Sequence, residues 1–326
     1  MIKKKNLFYE AFRMFFLLIL VSLLAFILIT KSPIDPLVSY IGINSTLSPE
    51  AQMEIAEYWG LNDPLPQRFL TWLSNILHGD MGMSITYKKA VSAVIAERFA
   101  ASLVLMMLAW ALSGILGFFM GVICGIRQGG IIDRVTKVFC LAIKSAPTFW
   151  LGLMFLVVFA VQLGWFPIGM AAPMGTLEAD VTLADRIHHL VLPVITLTIA
   201  NISEVVLYTR QRVVEIIDSD FILYAKARGE SQSQIVKNHV LRNVLLPAIT
   251  LQFASFSELF GGMALAENVF AYPGIGTATT AAAMNGDVPL LLGIALISAI
   301  FVFAGNLIAN LLYGICDPRI REGENV

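Results

Sequence analysis

Six apolar runs, residues 15–30, 99–126, 138–162, 190–209, 246–266 and 290–315, constrain this chain more than anything else in it. A helix that crosses a bilayer needs about 17–25 mainly apolar residues. Strands of a membrane barrel would instead alternate polar and apolar residues. These runs do not alternate, so the expected fold is all-α and polytopic, with six transmembrane helices. Composition agrees, since 57% of the 326 residues are hydrophobic and only 14% are charged, against about a quarter charged in soluble domains. The formal net charge of −1 offers no field for nucleic acid, so the natural partner is membrane lipid. The three cysteines, Cys124, Cys140 and Cys316, lie in or beside apolar runs with no C-x-x-C pair, and read as small apolar fillers rather than disulfide or zinc ligands.

Orientation follows from lysine and arginine in the loops. One side collects Lys3, Lys4, Lys5, Arg13, Arg127, Arg134, Lys137, Arg210, Arg212, Lys226, Arg228, Lys237, Arg242, Arg319 and Arg321. The other has Lys31, Arg68, Lys88, Lys89, Arg98 and Arg186, spread over far more chain. Both termini are therefore expected in the cytoplasm. The first run follows three lysines but has no small-residue cleavage site, and reads as an uncleaved signal-anchor. The expected organisation is 1–31 as tail and first span, 32–97 as an external insert, 98–316 as a five-helix core with a cytoplasmic loop at about 210–245, and 317–326 as a tail.

The insert carries two expected amphipathic helices. "SPEAQMEIAEYWG" has Ser48 as cap, Pro49 at the first position and Gly60 as stop. "PLPQRFLTWLSNILHG" repeats the form, with Phe69, Leu70, Leu73, Ile76 and Leu77 on one face. They suit either a docking surface for a soluble partner or a cap on the bundle. Run three is expected to end at Trp165 and Pro167, and the small residues after "YPGIG" to re-enter the bundle. His188 and His189 read as an interfacial polar cap, with a metal contact as the weaker reading.

Within the bilayer, Gly117, Gly121 and Gly125 are spaced by four, a stripe on which another helix can pack closely. Ionisable residues at that depth are costly and are functional candidates. Glu204 and Glu258 qualify, with Arg210 an ordinary pairing partner for Glu204. Asn306 and Asn310 share a face of the last run.

The segment 220–250 is polar and well punctuated. Asp220 opens a short helix, "DFILYAKAR", which Gly229 stops. Ser231 and Gln234 form a capping box for the next helix, which runs through His239 and Arg242 to Leu246 and Pro247. Ala225 and Ala227, flanked by Tyr224 and Arg228, make a small-residue surface on which a partner can close. A basic helix resting on anionic lipid explains the arginines but not the alanines and glycine.

"YAKARGESQSQIVKNHVLRNVLLPA" resembles the EAA loop of ABC-importer permeases, with Ala225, Ala227, Gly229, Leu246 and Pro247 at its marked positions. "GLNDPLPQRFLTWLSNILHGDMGMS", "SAPTFWLG", "ENVFAYPGIG" and "DPRIRE" extend the resemblance over nearly the whole chain. They point to the first permease of the dipeptide/oligopeptide/nickel branch. Tyr224 stands where the loop has an acidic residue, and Asn310 where the last span often has an aspartate.

The resemblance implies a type I ABC importer permease fold in the bacterial inner membrane. It also implies a second homologous permease, two ATP-binding subunits and an extracytoplasmic solute-binding protein as partners. Tyr224, Ala225, Ala227, Arg228, Gly229, Leu246 and Pro247 would couple to an ATPase. The chain has no phosphate-binding loop. It is expected to be non-catalytic, with no metal or cofactor of its own, ATP and Mg being used by the partners. Glu204, Glu258, Met263, Asn306 and Asn310 are the expected translocation-path residues. "GINSTLSPEAQMEIAEYWGLNDPL" and "ELFGGMALAENVFAYPG" look closest to the nickel type, and Met263, Met284, His188 and His189 are compatible with a metal complex, so the expected substrate is nickel or another metal chelate, with di- or oligopeptides as the alternative. A channel or secondary transporter working without ATP is the remote rival, and it leaves the coupling segment unexplained.

Overall fold

The computed structural model describes residues 4–31 and 63–316, together with Ser48, Glu50, Met53 and Glu57. Its helices are α1 (Lys4–Thr30), α2 (Leu65–Leu77), α3 (Val91–Ile126), α4 (Ile131–Ser145), α5 (Thr148–Phe155), α6 (Leu183–Ile217), α7 (Asp220–Ala227), α8 (Gln232–Ile235), α9 (Leu241–Ala254), α10 (Phe256–Val269), α11 (Ile275–Met284) and α12 (Val288–Cys316). The described residues form no strand beyond an isolated bridge between Met83 and Ala90. Glu50, Met53 and Glu57 are helical, and the Ser48 side chain hydrogen-bonds the Glu50 carboxylate, which holds that acid below its usual range. The rest of the first insert helix and the tail 317–326 lie outside the described residues.

By length and composition, Val91–Ile126, Leu183–Ile217 and Val288–Ala309 can each cross a membrane unbroken. Phe12–Leu28 is a shorter apolar helix in the first run. The other two runs differ from expectation. Run three is not one helix, because α4 and α5 meet at 107° across Ala146 and Pro147. A proline cannot continue the helix, and the residue before it is pushed out of the helical region. Ala146 accordingly sits at φ −91°, ψ 131°. Run five bends by 51° at Ser255, between α9 and α10. Pro247, expected at its membrane entry, lies inside α9. The stop after run three also moves. A π-helical segment, Leu156–Gln162, continues α5 and ends at Gly164 (φ +63°), before Pro167 is reached.

The chain divides into two compact units. One holds the described residues up to Ser102 with Pro273–Phe303, and the other holds Leu103–Tyr272 with the chain from Ala304. In the first, α2 packs on α1 through Phe26, whose ring lies 5.4 Å from Phe69 and 5.9 Å from Trp72. The covered face is thus Phe69, Trp72, Leu73 and Ile76, while Leu70 and Leu77 are exposed. The expected face was one residue type short, because Trp72 belongs to it, and two leucines too wide. Re-entry after "YPGIG" is seen here: α11 buries Ile275, Gly276, Ala278 and Ala282, and the Ile275 amide donates to Ser102 Oγ at 2.8 Å. Buried Asp287 accepts from Ser84 Oγ (2.6 Å) and the Thr86 amide (2.9 Å), tying the loop before α3 to the start of α12.

In the second unit the glycine stripe is a packing surface. A Cβ on Gly117, Gly121 or Gly125 would lie 2.8, 2.6 or 2.5 Å from the Cβ of Val205, Thr209 or Val213. Those partners are spaced by four on α6, so the two helices touch along matched rows. Cys124 and Cys140 are buried free thiols, as fillers should be. Because real Cβ contacts are never this short, Gly121→Leu should force α3 and α6 apart and cost about 3 kcal/mol. The check is the thermal midpoint of detergent-purified protein, and an unshifted midpoint would show that the rows do not bear on stability.

Candidate coupling surface and intramembrane cavity

The segment between α6 and α9 folds as its punctuation dictates. Helix α7 starts at Asp220 and closes at Arg228, followed by Gly229 at φ +83°, a left-handed conformation that favours glycine. Ser231 and Gln234 form the reciprocal capping box, with the Ser231 amide donating to Gln234 Oε1 at 2.8 Å and the Gln234 amide to Ser231 Oγ. A π-helical turn, Val236–Val240, then joins α8 to α9. His239 Nε2 meets Glu230 Oε2 at 2.9 Å and bridges the turn.

Two faces of α7 do different jobs. Ile222 and Ala225 are buried in a cluster with Val122, Val213, Ile235, Val240 and Val244. Tyr224, Ala227, Arg228 and Gly229 are exposed, with the Arg228 guanidinium 5.9 Å from the Tyr224 ring centroid. Ala225 is therefore no part of an outward small-residue surface. It is small because the cluster beneath α7 is close. Leu246 is exposed on α9 and Pro247 is partly covered.

The approach to α7 is fixed by charge. Asp133 of α4 is fully buried and bonds Arg210 of α6 through both carboxylate oxygens, Nη2 to Oδ2 at 2.9 Å and Nε to Oδ1. The Gly129 amide donates to Oδ2 at 2.9 Å, and Lys137 Nζ lies 3.6 Å away. Arg210 is thus taken, and the ordinary pairing with Glu204 does not form.

Glu204 instead lines a cavity of about 220 Å³ with Glu258 of α10, Lys144 and Thr148 from the α4–α5 elbow, and Asn201 and Ser203 of α6. Among the described residues no ion pair includes Lys144, Glu204 or Glu258. Two of the expected path residues are brought together here. Met263 is not among the lining residues and is buried. Asn306 is exposed on α12 and accepts from Ser257 Oγ at 2.7 Å, and the Asn310 side chain lies outside the described residues. Lys144 was missed, although the signal was present: it is the one basic residue counted on neither side of the membrane, because it falls inside run three.

His188 donates from Nε2 to the Trp165 carbonyl (2.9 Å) and His189 from Nδ1 to that of Gly169 (2.8 Å). Both imidazoles thus tie down the loop that follows α5, which is the polar-cap reading. Among the described residues no group of three or more His, Cys, Asp or Glu side chains is placed to hold a metal ion.

Comparison with known proteins identifies the chain's class. Residues 117–322 match the family described as "Binding-protein-dependent transport system inner membrane component", and residues 5–106 match its N-terminal companion. The "Oligopeptide transport system permease protein AppB" of Bacillus subtilis is 35% identical over 92% of this chain and 94% of its own length. The "Di/tripeptide transport system permease protein DppB" of Pseudomonas aeruginosa is 31% identical over 93% and 94%. Among solved structures, an inward-facing MetNI methionine ABC transporter matches with 16% identity and a TM-score of 0.49, over 68% of this chain and 97% of that one.

The chain belongs to the binding-protein-dependent transport system inner membrane component family. It is a non-catalytic, multi-pass permease subunit of an ABC importer in the bacterial inner membrane, all-α among its described residues apart from one isolated bridge. Truncating Arg210→Ala would leave the Asp133 carboxylate buried and short of its main partner, at a cost of about 3–5 kcal/mol. Thermal unfolding of the purified chain reads this directly, and a loss under about 1 kcal/mol would mean that Lys137 and the Gly129 amide suffice.

Proposed function

We propose that this chain forms half of a peptide translocation path and is driven by ATPase motion through α7. Its partners in this reading are a second homologous permease, two ATP-binding subunits that use ATP and Mg, and an extracytoplasmic solute-binding protein. The observation that carries it is the division of α7 into a buried face and an exposed one. Ile222 and Ala225 lock the helix to the cluster beneath it, so a push on Tyr224, Ala227 or Arg228 moves α6 and α9 with it. Tyr224, Ala227, Arg228 and Gly229 are the docking residues. Leu246 and Pro247 lie on the helix that carries the stroke inward, and Ala225 acts from below. Glu204 and Glu258 face the path. Asn306 and Asn310 contribute from the last helix, and Met263 is a buried packing residue of α10.

The substrate reading moves from nickel to peptides. The relatives' names support oligopeptides and di- or tripeptides. The histidines compatible with a metal chelate are bonded to backbone carbonyls, and Met263 is buried.

Two alanine variants separate docking from folding. Ala227→Glu should leave a folded membrane protein that no longer co-purifies with ATPases and has lost at least about 90% of its transport, as expected for a charge set in a desolvated contact. Ala225→Glu buries that charge in an apolar cluster and should remove folded protein altogether. An Ala227→Glu complex that holds its ATPases and imports normally would remove α7 from the coupling role. For the substrate, proteoliposomes of the whole complex with its binding protein should accumulate tri-alanine and ignore nickel. The reverse result would restore the metal reading.

A further inference from the structure

The cavity at the α4–α5 elbow has a chemistry more specific than that of a wet path. It is lined by two carboxylates, the half-buried Glu204 and the exposed Glu258, and one exposed ammonium, Lys144, none paired with a described residue. Asn201 places one N–H of its amide on the Leu197 carbonyl at 2.8 Å, which leaves the acceptor Oδ1 and a second N–H to offer. The Ser203 hydroxyl, only 1% exposed, lines the same space. It has the weak thiol of Cys140 beside it and no stronger partner among the described residues. Charged and polar groups at bilayer depth are costly to leave unmatched. Here the half-buried Glu204 carboxylate and the buried Ser203 hydroxyl are left unmatched around one volume, with Glu258 and Lys144 exposed beside them.

We propose that this cavity is a subsite for the free amino-terminal end of a peptide in transit. The inference rests on the peptide reading above and names the part of the substrate that this site takes. The α-ammonium sits between Glu204 and Glu258 with Asn201 Oδ1 as a third acceptor, and Lys144 takes the adjacent backbone carbonyl or, in a dipeptide, the carboxylate. Charge-assisted hydrogen bonds of this kind are about twice as strong as neutral ones. The match is to a zwitterion. A bare divalent cation would use the carboxylates but would meet the Lys144 ammonium, which supplies no ligand atom. At about 220 Å³ the space is smaller than the roughly 300–1,000 Å³ of sites that enclose drug-sized molecules. It therefore holds one end of a peptide and is indifferent to its length. A site that grips only the end group every peptide shares suits a path that must pass many sequences.

The test removes the binding protein, whose own selectivity would otherwise be read. The permease complex, purified with its co-expressed partner subunits into nanodiscs, is mixed with tri-alanine or N-acetyl-tri-alanine, and binding is followed by saturation-transfer NMR. Wild type should bind tri-alanine at least about tenfold better than the acetylated peptide, the ratio that about 1.4 kcal/mol represents. The double variant Glu204→Gln/Glu258→Gln should bring that ratio close to one. Each ratio is taken on a single preparation, so a loss of folded protein lowers both signals and leaves it unchanged. If the double variant fails to assemble, the wild-type ratio alone decides.

Equal signals from the two peptides in wild type, no signal from either, or a ratio that survives in the variant would each overturn the subsite. Tri-alanine uptake by proteoliposomes with the binding protein tests the peptide reading separately. Uptake without discrimination in nanodiscs ends the subsite alone, whereas no uptake ends the peptide reading.

Discussion

The closeness of α3 to α6 sets the geometry of the larger unit. Inside a bilayer, lipid is as apolar as leucine, so burying leucine gives no gain and helices are held by packing and hydrogen bonds. Dispersion falls away within an ångström of the best distance, so helices held this way must touch. Gly117, Gly121 and Gly125 remove every side chain that would keep Val205, Thr209 and Val213 off the α3 backbone. The contact does not end with the stripe. Val213, against Gly125, is also a member of the cluster under α7, with Val122 of α3 one turn away. The glycine-stripe contact and the cluster under α7 therefore share a side chain.

In the proposed coupling role, that continuity is what would let so short a helix transmit force. Eight residues are too few to be helical alone in water, since a helix of that length does not repay its nucleation. Helix α7 is helical because Ile222 and Ala225 are buried, Gly229 ends it and a capping box starts the next turn. Packed cores switch between arrangements rather than deforming smoothly. A helix seated in one therefore passes on displacement instead of absorbing it. The Asp133–Arg210 pair has a related effect on α6, which it joins to α4 just before the coupling segment begins.

Much of this could be read from the residues alone, for physical reasons. The six runs are long, and length is what a bilayer demands. Gly229 and the Ser231–Gln234 box act over three or four residues, so local sequence contains them entirely. What was misread depends on distance or direction. Ala225 and Ala227 were taken as one surface, yet residues two apart on a helix point to different sides. Arg210 was offered to Glu204, six residues away, but bonds Asp133, which lies seventy-seven residues away and which periodicity could not connect to it. The elbow is hidden because the second half of α4 and all of α5 read as one apolar run across Pro147, and hydropathy averages across the break. Lys144 escaped for a related reason: a tally of loop charges has no column for a charge inside a span.

The 107° elbow has a further consequence. A helix that stops leaves its last carbonyls without amide partners, and a lipid-facing chain has nothing to offer them. At Ser145–Pro147 the Ala146 amide turns back to the Ile143 carbonyl and the Ser145 hydroxyl to that of Leu141. Such a break is tolerated at membrane depth where protein or a water-filled space surrounds it. The cavity lined by Lys144 and Thr148 lies at this break. Its polar lining therefore bears on how the bent chain can be held in a bilayer as well as on what can pass beside it.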